Sequence, residues 1–438
     1  MGPLPYGRGS VAGCGSILAL LGLFLWLIVP GVSPEPYGYD EGDYMYAASL
    51  GFACNWMDAG AMPMAEFLDA GFHSGSRESL SARIRKGNDA LFYRHFHGPL
   101  FEYVLVAISR FGLSEGATRG VLLAIPAASL VLIAGEGWLA GLLFLSSYSV
   151  LGTTEVAPHQ LFVLCALASM ILLLRRHWYG AAVAAGFASC TLEVGIVLPI
   201  TMLICGWVER RKIEWKPLAA FGATVAVIWP AAILRLSFVK AWAVMAYLTI
   251  AREAAWGSAS FFEMWRSRFV HSPAEWILIL AGLAAFWKTR RTLYPLALSA
   301  GLALAATARV LSLTPRYALA FMPVLDLLAG LALVPSFGPL RRPARVAVVT
   351  AMLAGLGGNA WYQAVHRNRD ANPRSAAVLK YIHQNDLQNK ALLAPQTEVP
   401  TLHYYFPRMR LAGYFGAGPT RAERESFVPD AIIGAAEP

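Results

Sequence analysis

Long apolar runs, separated by short polar junctions, recur along most of the 438-residue chain. About 20 apolar residues cross the hydrocarbon core of a membrane as a helix, so the pattern predicts an all-α polytopic membrane protein. The predicted spans are residues 11–30, 98–113, 118–152, 157–174, 178–191, 193–208, 217–236, 274–288, 293–310, 316–334 and a last one that ends near Tyr362. Because the two apolar stretches 118–134 and 137–152 together make one net crossing, we expect about eleven transmembrane helices.

Two polar segments are long enough to fold outside the membrane. Loop 31–97 is predicted to contain a helix that starts near Asp40 and an amphipathic helix over residues 77–92. The end of the chain changes character, and we divide the protein into a transmembrane module, residues 1–362, and a small α/β appendage, residues 363–438. The elements predicted in the appendage are a helix over 373–385, a strand over 391–394, a helix over 398–406 and a strand over 410–415.

Clusters of Lys and Arg predict the orientation of the chain, because such clusters face the cytoplasm. The cytoplasmic clusters are Arg175–Arg176, Arg210–Lys212, Lys288–Arg291 and Arg341–Arg345. The outer face then carries the appendage and loops 31–97, 153–160, 238–273 and 309–316. We therefore expect a multi-pass protein of the cell inner or plasma membrane. Residues 11–30 are longer than the apolar region of a typical signal peptide, and we expect them to be retained as the first span.

Composition narrows the class of protein further. The chain is 57% hydrophobic and 14% charged, whereas a soluble domain carries about 25% charged residues. The net charge of +9 comes from basic runs that are too short to form a continuous nucleic-acid-binding face, so no nucleic-acid partner is expected. None of the five cysteines forms a CxxC pair, which argues against a zinc site and a disulfide framework.

Carboxylates directly follow the first span, where a membrane-embedded site would meet water. Asp40 could cap the helix that starts there, or it could act as a general base at the membrane face; the position favours the second interpretation. Glu41 is a second acidic candidate. Arg94, His95 and His97 end the same loop and could be an interfacial belt or an anion-binding group.

Two further polar clusters lie between later spans. Glu155 and His159 flank Pro158, and they could pack between helices or contribute a second carboxylate to a site. Arg309, Arg316 and Tyr317 lie on the face predicted to be outer. Topogenic arginines are expected on the cytoplasmic face instead, and this conflict favours phosphate binding by these residues. Glu193 is expected to pair with a neighbouring helix. Residues with weaker claims on the same basic surface are Arg252, Arg266, Arg268 and His271.

Four stretches in the same order resemble the GT-C glycosyltransferases, in the branch of the protein mannosyltransferases and lipid A aminoarabinose transferases (glycosyltransferase 39-like). They are Tyr39–Tyr44 after span one, His97–Tyr103, Thr154–His159 and Pro315–Pro323. Gly98 stands where the family has the first proline of a Pro-Pro-Leu motif, and Ala157 stands where it usually has an arginine. The resemblance covers most of residues 11–335 as a pattern of spacing.

The resemblance implies a GT-C-like bundle that transfers a sugar, with inversion, from a polyprenyl-phosphate-linked donor to a hydroxyl acceptor at the extracytoplasmic face. Asp40 would be the general base, with Glu41 and Glu155 as further catalytic carboxylates. The residues expected to bind the lipid phosphate are Arg94, His95, His97, His159, Arg309, Arg316 and Tyr317. No cofactor is firmly implied; a divalent metal on His95 and His97 is an open alternative.

Two competing classes remain open at this point. A transporter or flippase of a lipid-linked anion would use the same basic surface without making a bond. The long loop 31–97 and the appendage favour an enzyme, as does the lack of paired broken helices in two halves of the chain. A membrane scaffold would not need acids, histidines and arginines that converge on one face.

Overall fold

The computed structural model describes residues 13–57, 62–63, 91–92, 97–211, 215–234, 261–308, 315–366, 373–395, 398–414 and 427–434. Most of the predicted helix over 77–92 lies outside the described residues, and its last two positions form a strand instead. Arg94, His95, Arg252 and Arg309 also lie outside the described residues.

The first half of the chain is a succession of helices with little chain between them. The helices are α1 (Cys14–Ile28), α2 (Tyr39–Ser49), α3 (Phe52–Met57), α4 (Leu100–Ser109), α5 (Glu115–Leu122), α6 (Ala124–Glu136), α7 (Trp138–Ser146), α8 (Tyr148–Leu151), α9 (His159–Leu174), α10 (Trp178–Ser189) and α11 (Val197–Arg210). Strands β1 (Met62–Pro63) and β2 (Leu91–Phe92) pair antiparallel within loop 31–97. Short 3-10 helices follow α1 at Val29–Gly31 and precede α11 at Glu193–Ile196.

The second half adds the remaining helices and a small sheet. The helices are α12 (Trp215–Ile228), α13 (Pro230–Leu234), α14 (Phe261–His271), α15 (Pro273–Thr307), α16 (Met322–Leu333), α17 (Arg342–Val365), α18 (Pro373–Gln384) and α19 (Val399–Tyr405). A 3-10 helix, Pro315–Ala320, leads into α16, and another, Val334–Phe337, follows it. The strands are β3 (Ala391–Pro395), β4 (Arg410–Tyr414) and β5 (Ala431–Ile432).

Membrane-crossing segments are recognisable by length and hydropathy. Cys14–Gly31 and Glu115–Glu136 each qualify alone, and Phe262–His271 with Pro273–Thr307 form a pair bent by 112° that qualifies together. Shorter apolar helices of 10–17 residues are Leu100–Ser109, His159–Leu174, Trp215–Ile228 and Met322–Phe337. The helical class is confirmed, and two or three segments of the described residues could cross a membrane by length and hydropathy. The number of about eleven crossings is not confirmed and stays a prediction.

The basic run Lys288–Arg291 does not interrupt the helix that contains it. Two spans, 274–288 and 293–310, are predicted on either side of this run, whereas the structure has the single helix α15 over Pro273–Thr307. Lys and Arg are good helix formers, so a cluster of them marks a junction by charge without ending the helix. The predicted interruption of the helix is therefore wrong.

The core of the bundle is built on close helix contacts between small residues. A Cβ atom added to Gly330 of α16 would lie 2.6 Å from the Cα of Ala140 in α7, and one added to Gly282 of α15 would lie 2.5 Å from the Cα of Ala329. Small side chains at such positions let helix backbones approach within van der Waals contact, which stabilises helix pairs where no hydrophobic driving force acts. These contacts fix α16 between α7 and α15.

The appendage forms the two helices and two strands that the pattern predicts, and a third strand, β5, that it does not predict. Strand β3 lies at the centre of a parallel sheet in the order β4-β3-β5, and all five of its residues are buried. A strand that is buried on both faces reads as a continuous apolar run, as Ala391–Pro395 does. Helices α18 and α19 pack on this sheet through an apolar cluster that includes Ile382, Leu392 and Leu402. The division of the chain at residue 362 stays a prediction.

Candidate active site

One guanidinium joins two carboxylates that come from distant parts of the chain. Arg316, in the 3-10 helix before α16, donates from Nη1 to Oε1 of Glu155 at 2.9 Å and from Nη2 to Oδ2 of Asp40. Arg316 is 161 positions from Glu155 and 276 positions from Asp40 in the sequence. The Asp40 and Glu155 side chains keep 35% and 32% of their exposure, so both carboxylates can meet a ligand from solvent.

Asp40 is directed at this cluster by the first turn of α2. The N-cap of α2 is Gly38, in an extended conformation, and it makes no side-chain capping bond. Asp40 and Glu41 occupy the first turn, where negative charge is stabilised by the helix dipole. The alternative interpretation of Asp40 as the helix cap is therefore wrong, because its carboxylate binds Arg316 instead.

Glu155 lies in the polar interruption that precedes α9. Partial burial raises the pKa of the Glu155 carboxyl above its usual range, the Arg316 guanidinium opposes this shift, and the Glu41 and Asp40 charges add to it. This carboxylate therefore takes up a proton at a higher pH than an exposed glutamate. A close contact holds the segment in place: a Cβ atom on Gly152 would lie 2.8 Å from Cγ of Pro315, the residue before Arg316.

Glu41 occupies a different environment from Asp40, although it is the next residue. Its carboxylate is buried and accepts hydrogen bonds from Arg119 Nε at 2.8 Å, from Arg119 Nη2 at 2.6 Å and from the Val156 amide at 2.8 Å. Arg119 also donates to the backbone carbonyls of Ser33 at 2.8 Å and Glu35 at 2.7 Å. The pair thus ties α2, α5 and the segment that carries Glu155 to one another.

Arg119 was not singled out by the sequence pattern. It lies at the start of the predicted span 118–152, where a lone arginine is typical of an end-of-span residue whose side chain reaches for the interface. The only sequence signal is its spacing from Glu115, since i and i+4 residues share one face of a helix. Its acidic partner, 78 positions away, cannot be found from local periodicity.

His97 reaches the site from the start of α4. Its Nδ1 lies 2.8 Å from Oε1 and 3.1 Å from Oε2 of Glu193, and its ring stacks on that of Tyr44 with centroids 6.2 Å apart. Tyr44 lies one helical turn after Asp40. Burial of the Tyr44 hydroxyl is the main cause that raises its pKa; the Asp40 charge raises it further, and the Arg316 charge opposes the shift. Glu193 is expected to pair with a neighbouring helix; its partner is instead His97, which lies three residues before α4 and is a predicted site residue.

A tight contact sets the position of His97. The Leu100 amide donates to the Cys190 carbonyl at 3.0 Å, and a Cβ atom added to Gly98 would lie 2.3 Å from the same oxygen. The backbone of residues 98–100 therefore lies directly against the end of α10, and no larger residue fits at position 98. This contact explains the glycine at the position where the resembled family has a proline.

His159 and Tyr317 complete the group around Arg316. The rings of His159 and Tyr317 meet edge to face with centroids 5.9 Å apart, and the Arg316 guanidinium carbon lies 5.5 Å from the centroid of the Tyr317 ring. His159 is buried, and its Nδ1 has no hydrogen-bond partner among the described residues. The ring is thus placed to offer a polar atom to a bound group.

The weaker basic candidates are not all on one surface. Arg266 is exposed, but Arg268 is buried, with its guanidinium carbon 5.0 Å from the centroid of the Tyr148 ring. His271 stacks on the same Tyr148 ring, with 4.6 Å between the ring centroids. Within the described ranges, no three His, Cys, Asp or Glu side chains are grouped so that they could hold a metal ion.

Comparisons with known proteins give a relationship of fold. No protein-family model matches the chain, and no curated protein matches it in sequence. The crystal structure of ArnT from Cupriavidus metallidurans in the apo state superposes with a TM-score of 0.53 at 15% identity, over 91% of this chain and 86% of that one. The structure of the same protein bound to undecaprenyl phosphate gives 0.55 at 15% identity, over 92% and 86%. The resemblance to the GT-C glycosyltransferases is thereby confirmed at the level of fold.

Proposed function

We propose that this protein is a membrane glycosyltransferase that moves a sugar from a polyprenyl-phosphate-linked donor to a hydroxyl acceptor. The observation that carries the proposal is the bridge from Arg316 to Asp40 and Glu155, in which a base candidate and a phosphate-binding candidate share one partly open site. The fold shared with ArnT, one structure of which holds undecaprenyl phosphate, supports a lipid-phosphate donor.

In the proposed reaction Asp40 accepts the proton of the acceptor hydroxyl. The acceptor oxygen attacks the anomeric carbon as the bond between that carbon and the phosphate oxygen breaks, and the electron pair leaves with the lipid phosphate. The configuration inverts, through a state with oxocarbenium character. Asp40 suits the role of base because its carboxylate is partly exposed and its orientation is set by Arg316.

Positive charge and hydrogen-bond donors near Arg316 would stabilise the departing phosphate. Both Nη atoms of Arg316 bind carboxylates, whereas its Nε has no partner among the described residues and is left to donate. His97, His159 and Tyr317 surround this group. The proposed phosphate ligands outside the described residues are Arg94, His95 and Arg309. Preorganised donors of this kind contribute most when they face developing charge.

The other two acidic candidates take different roles in the proposal. Glu41 is a positioning residue, because Arg119 and the Val156 amide already occupy its carboxylate. Glu155 and Asp40 both bind Arg316, so Glu155 competes for the guanidinium and weakens its attraction to the Asp40 carboxylate. We place the reaction at the extracytoplasmic face of an inner or plasma membrane.

A transfer assay tests the proposal. The full-length protein, purified into lipid nanodiscs, is incubated with radiolabelled polyprenyl-phosphate sugars and a panel of hydroxyl acceptors, and the label is followed into the product. We expect wild-type transfer and a loss of about 10²–10⁴-fold in kcat for Asp40→Asn, since a general base contributes a factor of this size. Full activity of Asp40→Asn would overturn the assignment of the base.

Glu35→Gln is the matched control, because Glu35 is an exposed carboxylate five positions before Asp40 and lies outside the cluster. It should transfer at the wild-type rate. If the wild-type protein forms no glycosidic product from any donor but moves the labelled lipid between the leaflets of a vesicle, the protein is a flippase and the proposal fails.

A further inference from the structure

The appendage packs directly on the helix that carries Asp40. Helix α19 lies across α2, and the approach is so close that a Cβ atom on Gly42 would lie 1.9 Å from Oγ1 of Thr401. Tyr46, one turn further along α2, stacks on His403 with centroids 5.2 Å apart. Gly42 is two residues after Asp40, so the appendage touches α2 within the turn that presents the base.

A single hydroxyl joins the appendage to two elements of the transmembrane module. The Tyr37 amide donates to the Tyr405 hydroxyl at 2.8 Å, and this hydroxyl donates to Oε1 of Glu115 at 2.9 Å. Burial raises the pKa of Tyr405, the Tyr37 amide opposes the shift and Glu115 adds to it, so the hydroxyl keeps the proton that it donates. Tyr37 lies two residues before α2, and Glu115 is the first residue of α5.

Aromatic packing closes the space around this bond. The Tyr37 side chain is 1% exposed and meets the Tyr404 ring edge to face at 5.6 Å between centroids. The guanidinium carbon of Arg119 lies 5.0 Å from the centroid of the Tyr37 ring. Tyr37 is thus enclosed between the appendage and α5, and the backbone that leads into α2 has little freedom.

Helix α5 therefore holds α2 in two ways. Arg119 binds Glu41 on α2 directly. Glu115, four residues earlier on the same face of α5, is linked through Tyr405 to the backbone of Tyr37, which leads into α2. The first contact lies one residue after Asp40 and the second three residues before it. Both fix the start of α2, and only the second passes through the appendage.

We propose that Tyr405 is a positioning residue through which the appendage sets the placement of Asp40 relative to Arg316. The inference rests on the proposed function. The inference adds a role for the appendage in catalysis. Neither the shared fold nor the proposed phosphate ligands imply that role. Misplacement of a reacting group by about 1 Å costs up to roughly 100-fold in rate, so the loss of one such bond should be visible in kcat.

Tyr405→Phe removes only the hydroxyl and keeps the ring. We expect kcat of sugar transfer to fall by about tenfold, with KM for the lipid-linked donor unchanged and the thermal midpoint close to that of the wild type. Tyr381→Phe, at an exposed tyrosine of α18 in the same appendage, is the control and should retain full activity. A merely structural role would instead lower the amount of folded protein and leave kcat per folded molecule unchanged.

The partner on α5 provides a conservative rescue. Glu115→Gln keeps an oxygen that accepts from Tyr405 and should retain most of kcat. Glu115→Ala should lower kcat, but by no more than Tyr405→Phe does, because the Tyr37 amide can still donate to the Tyr405 hydroxyl. The double variant Tyr405→Phe/Glu115→Ala should lose no more than Tyr405→Phe alone, because Tyr405→Phe already removes the bond that Glu115→Ala removes. Additive losses, or wild-type kcat in Tyr405→Phe, would overturn the inference.

A readout that does not need activity separates this inference from the proposed function. Hydrogen exchange of the α2 amides, followed by mass spectrometry, should be faster in Tyr405→Phe than in wild type and unchanged in Tyr381→Phe. If the wild type transfers no sugar, the proposed function fails while the exchange result still decides whether Tyr405 holds α2. If the wild type transfers sugar and the exchange of α2 does not change, only the inference fails.

Discussion

Neighbouring residues with the same chemistry have divergent environments in this site. Asp40 and Glu41 are adjacent carboxylates, yet the Asp40 side chain is 35% exposed beside Arg316. Glu41 is 2% exposed, and its carboxylate accepts three hydrogen bonds. Successive residues of a helix point about 100° apart, so one meets the open cluster and the other the packed interior. The sequence alone favours Asp40 as the base and makes Glu41 a further catalytic candidate, but it does not show that the Glu41 carboxylate is buried against Arg119.

Glu193 gives a test at the scale of one residue. Its carboxylate lies within hydrogen-bond distance of His97 Nδ1 through both oxygens, and this contact orients the imidazole that we propose as a phosphate partner. Glu193→Ala should lower kcat/KM for the lipid-linked donor by about tenfold or more, since a hydrogen bond to a charged group contributes roughly 1.5–3 kcal/mol. Steady-state transfer with varied donor concentration measures this loss.

Glu136→Ala is the comparison for this variant. Glu136 also lies in an ion pair, with Arg175, but near the predicted cytoplasmic ends of the helices and away from the Arg316 cluster. It should leave kcat/KM unchanged. Equal losses of kcat/KM in the two variants would mean that breaking any ion pair slows sugar transfer. The assignment of His97 to the donor site would then be wrong.

At the scale of elements, Gly98 decides how α4 meets α10. A Cβ atom there would lie 2.3 Å from the Cys190 carbonyl oxygen and 2.7 Å from the Cys190 Cα, and neither is the flexible end of a side chain. Gly98→Ala should therefore lower the thermal midpoint, with a cost of about 1–3 kcal/mol from overpacking. Gly120→Ala, where nothing lies within 4 Å of the added Cβ, should leave the midpoint unchanged or raise it.

Thermal unfolding of both variants in the same detergent checks this prediction. The displaced Leu100 amide and Cys190 carbonyl would also lose their 3.0 Å hydrogen bond, so the effect should extend to His97 and lower transfer activity. A Gly98→Ala variant as stable as Gly120→Ala would show that α4 can move away from α10 at no cost.

At the scale of the whole molecule, the sequence predicts where polar groups lie along the chain better than which of them meet. Asp40, His97, Glu155 and Arg316 lie in, or next to, the polar junctions between predicted spans, and the spacing of the spans predicts that they share one face. The identity of their partners does not follow, because Arg316 and Asp40 are 276 positions apart and Tyr405 and Glu115 are 290 apart. Periodicity carries no information on such contacts, and this is why Arg119 and Tyr405 are found only in the structure.

The pair of Glu41 and Arg119 links three separate regions of the chain, and its loss should be felt in all of them. Arg119→Met leaves a buried carboxylate without its cation and should destabilise the protein by about 3–5 kcal/mol.

Glu41→Gln/Arg119→Met removes both charges and should cost less than the sum of the two single changes, with a coupling of about 0.5–3 kcal/mol. Arg176→Met, which breaks an exposed pair with Glu209, should cost at most about 1 kcal/mol. Denaturant unfolding of the four variants measures these differences, and strict additivity of the Glu41 and Arg119 changes would mean that the pair does not hold these regions together.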